Sequence, residues 1–175
     1  MIDWQTILYQ AIPYLMIGVP ILILINWFLK QNLKTKQIEL SLSMQKEMLP
    51  LRIQAYERLT ILLERINPDT LILREQKQGL SNLQLHSSLL KSIRSEFEHN
   101  LAMQIYLPVK TWDLILKSRD EVIKLINTCA GEVKAEGPSM ELSQKIIERF
   151  SKESDFYIKQ AKEALKKDIQ LYYFS

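Results

Sequence analysis

The sequence predicts an all-α protein: an N-terminal transmembrane helix and stalk, followed by a cytoplasmic antiparallel helical bundle. Three observations carry that prediction. Asp3 is the only charged residue before Lys30, so Ile7 to Leu29 is a 23-residue stretch without a charge. Beyond it, apolar residues recur three and four apart, the spacing of one face of a helix. No segment sustains the period-two alternation of a half-buried strand, so a sheet is not expected. The chain has 175 residues, 47% hydrophobic and 25% charged, which is too apolar for a disordered chain. The organisation expected is 1–30 as anchor, 31–50 as membrane-proximal stalk and 51–175 as bundle.

As a helix, the charge-free stretch would be about 34 Å long against a hydrocarbon core of about 30 Å. Trp4, Tyr9 and Tyr14 mark one end and Trp27 with Phe28 the other, as an aromatic belt would. A cleaved signal peptide would need basic residues before the apolar run and a small-residue cleavage site after it, and both are missing here. Lys30, Lys34 and Lys36 follow the span while only Asp3 and the amino terminus precede it, so the positive-inside rule puts the N-terminus outside and the rest in the cytoplasm. From Lys30 onward lie all 23 Lys and Arg and 19 of the 20 acids, a net charge of +4 that does not by itself call for nucleic acid. Gln10, Tyr14, Gly18, Leu22 and Asn26 form an i+4 row of mostly small and polar residues. That row is either a helix–helix contact in the membrane or two polar residues near the two interfaces. Pro13 and Pro20, seven apart, can each bend the span.

Residues 31–49 show a thin stripe of Leu33, Leu40, Met44 and Met48, a stalk that could pair with a second copy. From Leu51 to Ile66, Ala55, Leu59, Leu62 and Ile66 line one face, and Asn67-Pro68-Asp69 ends the helix because a residue before proline disfavours helical backbone. Thr70 to Lys77 has no clear form, and Gly79 breaks the chain. Ser81 caps a helix expected to run to about Ile105 on Leu85, Leu89, Ile93 and Phe97. Leu107-Pro108 interrupts, and a further helix is expected to turn Trp112, Ile115, Leu116, Ile123 and Ile126 inward and stop near Gly131. After the turn at Gly137-Pro138-Ser139, one last helix is expected to reach about Ile169 on Ile146, Phe150, Tyr157, Ala161 and Leu165. Four sizeable amphipathic helices can bury a common core.

Two stretches are distinctive: Leu51-Arg-Ile-Gln-Ala-Tyr-Glu-Arg-Leu-Thr-Ile-Leu-Leu-Glu-Arg-Ile-Asn-Pro68 and Glu96-Phe-Glu-His-Asn-Leu-Ala-Met-Gln-Ile-Tyr106. With the N-terminal span, they resemble an uncharacterised family of single-span helical proteins of Bacteroidota. The resemblance implies residence in the bacterial inner membrane and implies no activity and no functional residues.

Candidate chemistry is sparse. Glu96-x-x-His99 is the one metal-like spacing, since residues three apart share a helix face, but di-iron bundles use the pair twice with two further glutamates. The only other histidine, His86, has Leu83 three before it, so no metal or other cofactor is expected and Glu96 and His99 are the sole candidates. The single cysteine, Cys129, lies near a helix end with no histidine nearby in sequence, where the negative end of the dipole raises a thiol's pKa. There is no Gly-x-Ser-x-Gly elbow, and four glycines leave little for a phosphate cradle. Lys159, Lys162, Lys166 and Lys167 interleave with Glu163 and Asp168, as a solvated helix face does. Glu57, Arg58, Glu64 and Arg65 are either ordinary surface ion pairs or, with Arg58 and Arg65 seven apart, a charged docking strip. The terminal Leu171-Tyr-Tyr-Phe must pack back, meet the membrane interface or contact a partner.

The expectation is therefore not an enzyme. It is a membrane-tethered interaction module that scaffolds or regulates another protein, with the lipid bilayer and a protein partner or second copy as its contacts, and no nucleic acid. The alternatives are an accessory subunit packing through its span and a metal-dependent bundle enzyme.

Overall fold

The structure is a computed structural model and describes residues 4–153 and 155–174, with side chains over 16–152 and 156–171. Its elements in order are α1 (Trp4–Ile66), α2 (Pro68–Glu75), α3 (Asn82–Asn100), a 3₁₀ turn (Leu101–Tyr106), α4 (Val109–Gly131), α5 (Ser139–Glu153) and α6 (Asp155–Phe174). No strand occurs among the described residues; the closest feature is one antiparallel bridge between Ser81 and Pro138. The fold is all-α, as the periodicity predicts. By internal contacts the chain divides into residues 1–49 and residues 50–175.

In the first unit, α1 exposes nearly every described side chain, and Met16 to Leu29 form an uninterrupted apolar surface apart from Asn26. Among the described residues this is the one helix long and apolar enough to cross a membrane, by length and composition. Leu33, Leu40, Met44 and Met48 continue as exposed apolar side chains.

The second unit closes a core of its own. Ala55, Leu59, Leu62 and Ile66 of α1 are buried, as are Leu85, Leu89, Ile93 and Phe97 of α3. Burial of a side chain of this size contributes about 1.5–3 kcal/mol. Lateral pairs give the topology. Arg65 of α1 meets Glu96 of α3, while Arg58 shares a cleft with His99, so α1 and α3 run antiparallel. His86 contacts Asn127 and Arg119 lies over Phe97, so α3 and α4 are antiparallel too. Along α4, Glu132 pairs with Arg149 of α5, Ser118 with the Tyr157 carbonyl and Thr111 with Asp168 of α6. Thus α5 and α6 follow one another down α4, antiparallel to it.

Several boundaries differ from the sequence reading, each for a local reason. The chain does break at Asn67, but Asn67 also starts α2: its side chain accepts from Asp69 N at 3.1 Å, and Pro68 sits in the first turn, where its missing N–H costs nothing. The helix begun at Ser81 ends at Asn100, five residues short of expectation, because the Asn100 amide donates to the Glu96 carbonyl at 2.8 Å and the backbone leaves the helix there. The expected last helix is described as α5 and α6 on either side of residue 154, which lies outside the described residues. In α4 the inward face is rotated: Trp112, Leu116 and Ile123 are half-buried, while Thr111, Ser118, Val122, Leu125 and Cys129 join Ile115 and Ile126 inside. The polar pair is accommodated because Ser118 Oγ donates to the Leu114 and Tyr157 carbonyls and Thr111 Oγ1 donates to Asp168 at 2.5 Å.

The loops before α3 and α5 lock together. Ser81 and Gln84 form a reciprocal capping box on α3. Asn82, 2% exposed, donates to the Lys134 carbonyl at 2.8 Å and accepts from Leu142 N at 3.2 Å. Its own N–H reaches the Gly137 carbonyl, and Ser139 N reaches the Leu80 carbonyl. Gln76 adds bonds to Ser139 and Ser143. One buried asparagine therefore caps the first turn of α5 while fixing the loop before it.

Candidate functional site

Arg58 and Arg65 lie two turns apart on the solvent side of α1, with Ile61 between them and Leu62 beneath. Ile61 is 55% exposed although it borders the core, whereas Leu62 is fully covered. The α3 stretch Ser95-Glu96-x-x-His99-Asn100 faces this strip. Together they line an open cleft of about 420 Å³. The antiparallel packing of α1 and α3 is what joins them, so the sequence's charged strip and its metal-like pair fall in one place.

Within the cleft the groups are not equivalent. Arg65 Nε lies 2.7 Å from Glu96 Oε1, and the glutamate is only 17% exposed. The ion pair engages one oxygen of that carboxylate in a charge-assisted contact. His99 is exposed, and neither it nor Arg58 makes an ion pair among the described residues. No group of three or more His, Cys, Asp or Glu comes together among the described residues. The site presents charge beside exposed apolar surface.

Polar contacts extend the α3 face toward α2. Arg74 Nη2 donates to Ser92 Oγ at 2.8 Å, and Ser88 Oγ donates to Glu75 at 2.7 Å. Burial pushes the Glu75 carboxyl up, but hydrogen bonds from Ser88, Ser92 and Arg74, with the Arg74 charge, outweigh it and hold the group below its ordinary value. These contacts fix α3 and hence the cleft wall.

The remaining sequence candidates lie elsewhere. Glu64 turns to α6, where Lys162 Nζ lies 2.6 Å away, and Glu57 is exposed outside the cleft. That pairing ties Lys162, expected on a solvated helix face, to α1. Gly18 has open space where a Cβ would stand, Asn26 is exposed, and Lys30, Lys34 and Lys36 are exposed. The side chains of Gln10, Tyr14, Tyr172, Tyr173 and Phe174 fall outside the described residues. Cys129 is fully buried; burial pushes its thiol up, and a hydrogen bond and positive charge from Arg149 offset this only in part. Sequence reasoning missed Ile61 and Ser95 as cleft residues. Ile61 carried a signal, an isoleucine between two arginines off the buried face, whereas Ser95 carried none.

These features define an all-α protein with one helix suited to crossing a membrane and a bundle whose open cleft joins α1 to α3. The chain belongs to a family of unknown function, DUF7935, matched over residues 3–172. No curated protein and no solved structure matches it.

Proposed function

We propose that the protein is a membrane-tethered interaction module of the bacterial inner membrane. Its short N-terminus lies outside, and the bundle of residues 50–175 lies in the cytoplasm to scaffold or regulate another protein. The observation that supports this most is a division of labour within α1. Its C-terminal part buries Ala55, Leu59, Leu62 and Ile66 in the bundle, while Met16 to Leu29 expose an apolar surface that no part of the described chain covers. A bilayer would cover that surface, and Lys30, Lys34 and Lys36 set the orientation by the positive-inside rule.

A second reading rests on Gly18, whose bare side would let a neighbouring helix approach closely: an accessory subunit packing through its span. Replacing residues 7–29 by an unrelated apolar helix separates the two. A tether keeps its partner after the swap, and a packing subunit loses it. Fusing a reporter that works only in the cytoplasm to the C-terminus tests the orientation, and a silent reporter would overturn it.

A further inference from the structure

We infer that the cleft between α1 and α3 docks a segment of a partner protein in which a carboxylate sits beside an apolar side chain. The inference rests on the interaction-module reading and names the partner's chemistry. Four features carry it. Ile61 exposes more than half its surface at the cleft edge, directly over buried Leu62. Arg58, one turn away, is exposed with no ion pair among the described residues, so it has a charge to give. Arg65 is already matched by Glu96 at 2.7 Å, which leaves a fixed, neutral pair as the far wall. Exposed Ser95 adds a hydrogen-bonding group for a peptide backbone.

The mixture selects among occupants. A nucleic acid or an anionic lipid surface presents repeated phosphates and wants several free cations without an acid among them; here Glu96 lines the same cleft. A second copy joined symmetrically through this face would offer Arg58 only the cleft's own groups, among which the one acid, Glu96, is already taken by Arg65. A peptide carboxylate on Arg58, with an apolar neighbour seated on Ile61, satisfies both halves of the site.

The test uses the full chain in its native membrane, with a benzophenone amino acid placed at Ile61 and, as control, at Ile147, an exposed apolar position on α5. Irradiation should give a discrete protein adduct from position 61 and none from 147. The cross-linked segment, sequenced by mass spectrometry, should carry Asp or Glu next to an apolar residue. Arg58→Glu should cut the yield by at least about tenfold, and Arg58→Lys, which keeps the charge, should retain more of it. Arg58 is exposed, so an unchanged circular dichroism melt shows that both variants remain folded. An adduct to a second copy, to lipid or to a segment without acids overturns the inference, as does a yield indifferent to Arg58→Glu. No adduct at Ile61 while the full chain still captures a partner overturns the cleft and leaves the module standing. No adduct and no partner overturn both.

Discussion

Substituting Gly137 by alanine tests whether the loop lock at the head of α3 and α5 is a real determinant of stability. Gly137 does not need a left-handed backbone; among the described glycines only Gly79 has positive φ, at 85°. Alanine is thus conformationally acceptable, and by restricting the unfolded chain it would gain about 0.4–1 kcal/mol. Space decides against it. The added Cβ would lie 2.8 Å from Asn82 Nδ2, 2.9 Å from Glu141 Oε2 and 3.1 Å from the Lys134 carbonyl. The exposed Glu141 carboxylate can swing away at little cost. Asn82 cannot, because it is buried and bonded to Lys134 O and Leu142 N. Displacing it forfeits two bonds of about 0.5–1.5 kcal/mol each and strands a buried group. The net expectation is a loss of about 1–3 kcal/mol. In an Asn82→Ala background the tightest contact is gone, so the same substitution should fall to within about 0.5 kcal/mol of neutral, a coupling of about 1–2 kcal/mol. Urea unfolding of residues 50–175, which hold the whole core cluster, followed by circular dichroism, measures all four corners of this cycle. Additive effects, or a stabilising Gly137→Ala, would refute the reasoning.

Two further outcomes follow from the half-buried Glu75 and the buried Cys129. The Glu75 carboxyl is held below its ordinary 4.5, so its stabilising contribution is complete above that value and is lost as pH falls through the lower folded value. Glu75→Gln should therefore lower stability at neutral pH and flatten the loss below about pH 4.5, read from unfolding midpoints across a pH series. An unchanged acid profile would show that Glu75 is not the group responsible. Cys129 is buried with its thiol pushed up, so a maleimide at pH 7 should label it at least about a hundredfold more slowly in the folded bundle than in urea, a factor worth about 3 kcal/mol of opening. Fast labelling of the folded protein would contradict the packing of α4 against α5.

The sequence is most informative where a side chain's role depends on its near neighbours. The charge-free stretch marks the helix long and apolar enough to cross a membrane, the four-residue recurrence marks the buried faces of α1 and α3, and Ser81 marks a cap. It is least informative where a distant residue decides. Thr111 and Ser118 read as outward on α4 because they are polar, yet Asp168 and the Tyr157 carbonyl satisfy them inside. Glu64 reads as a neighbour of Arg65, but Lys162, far along the chain, takes it to another face. The cleft itself combines two features that the sequence offers separately, the Arg58–Arg65 strip and the Glu96–His99 pair. Only the antiparallel register of α1 and α3 joins them, and that register also pairs Glu96 with Arg65. Asn82 and Gly137 carry no periodic signal, because their importance lies in one loop-to-loop contact.

The central claim is that the bundle binds a protein partner while α1 holds it at the membrane. The most direct measurement is a mild-detergent pull-down of the tagged chain at native expression, analysed by mass spectrometry beside the span-swapped chain and Arg58→Glu. The account predicts one stoichiometric partner that survives replacement of residues 7–29 and is lost or sharply reduced with Arg58→Glu. A partner that disappears with the span, or a chain that captures nothing and instead turns over a substrate, would contradict it.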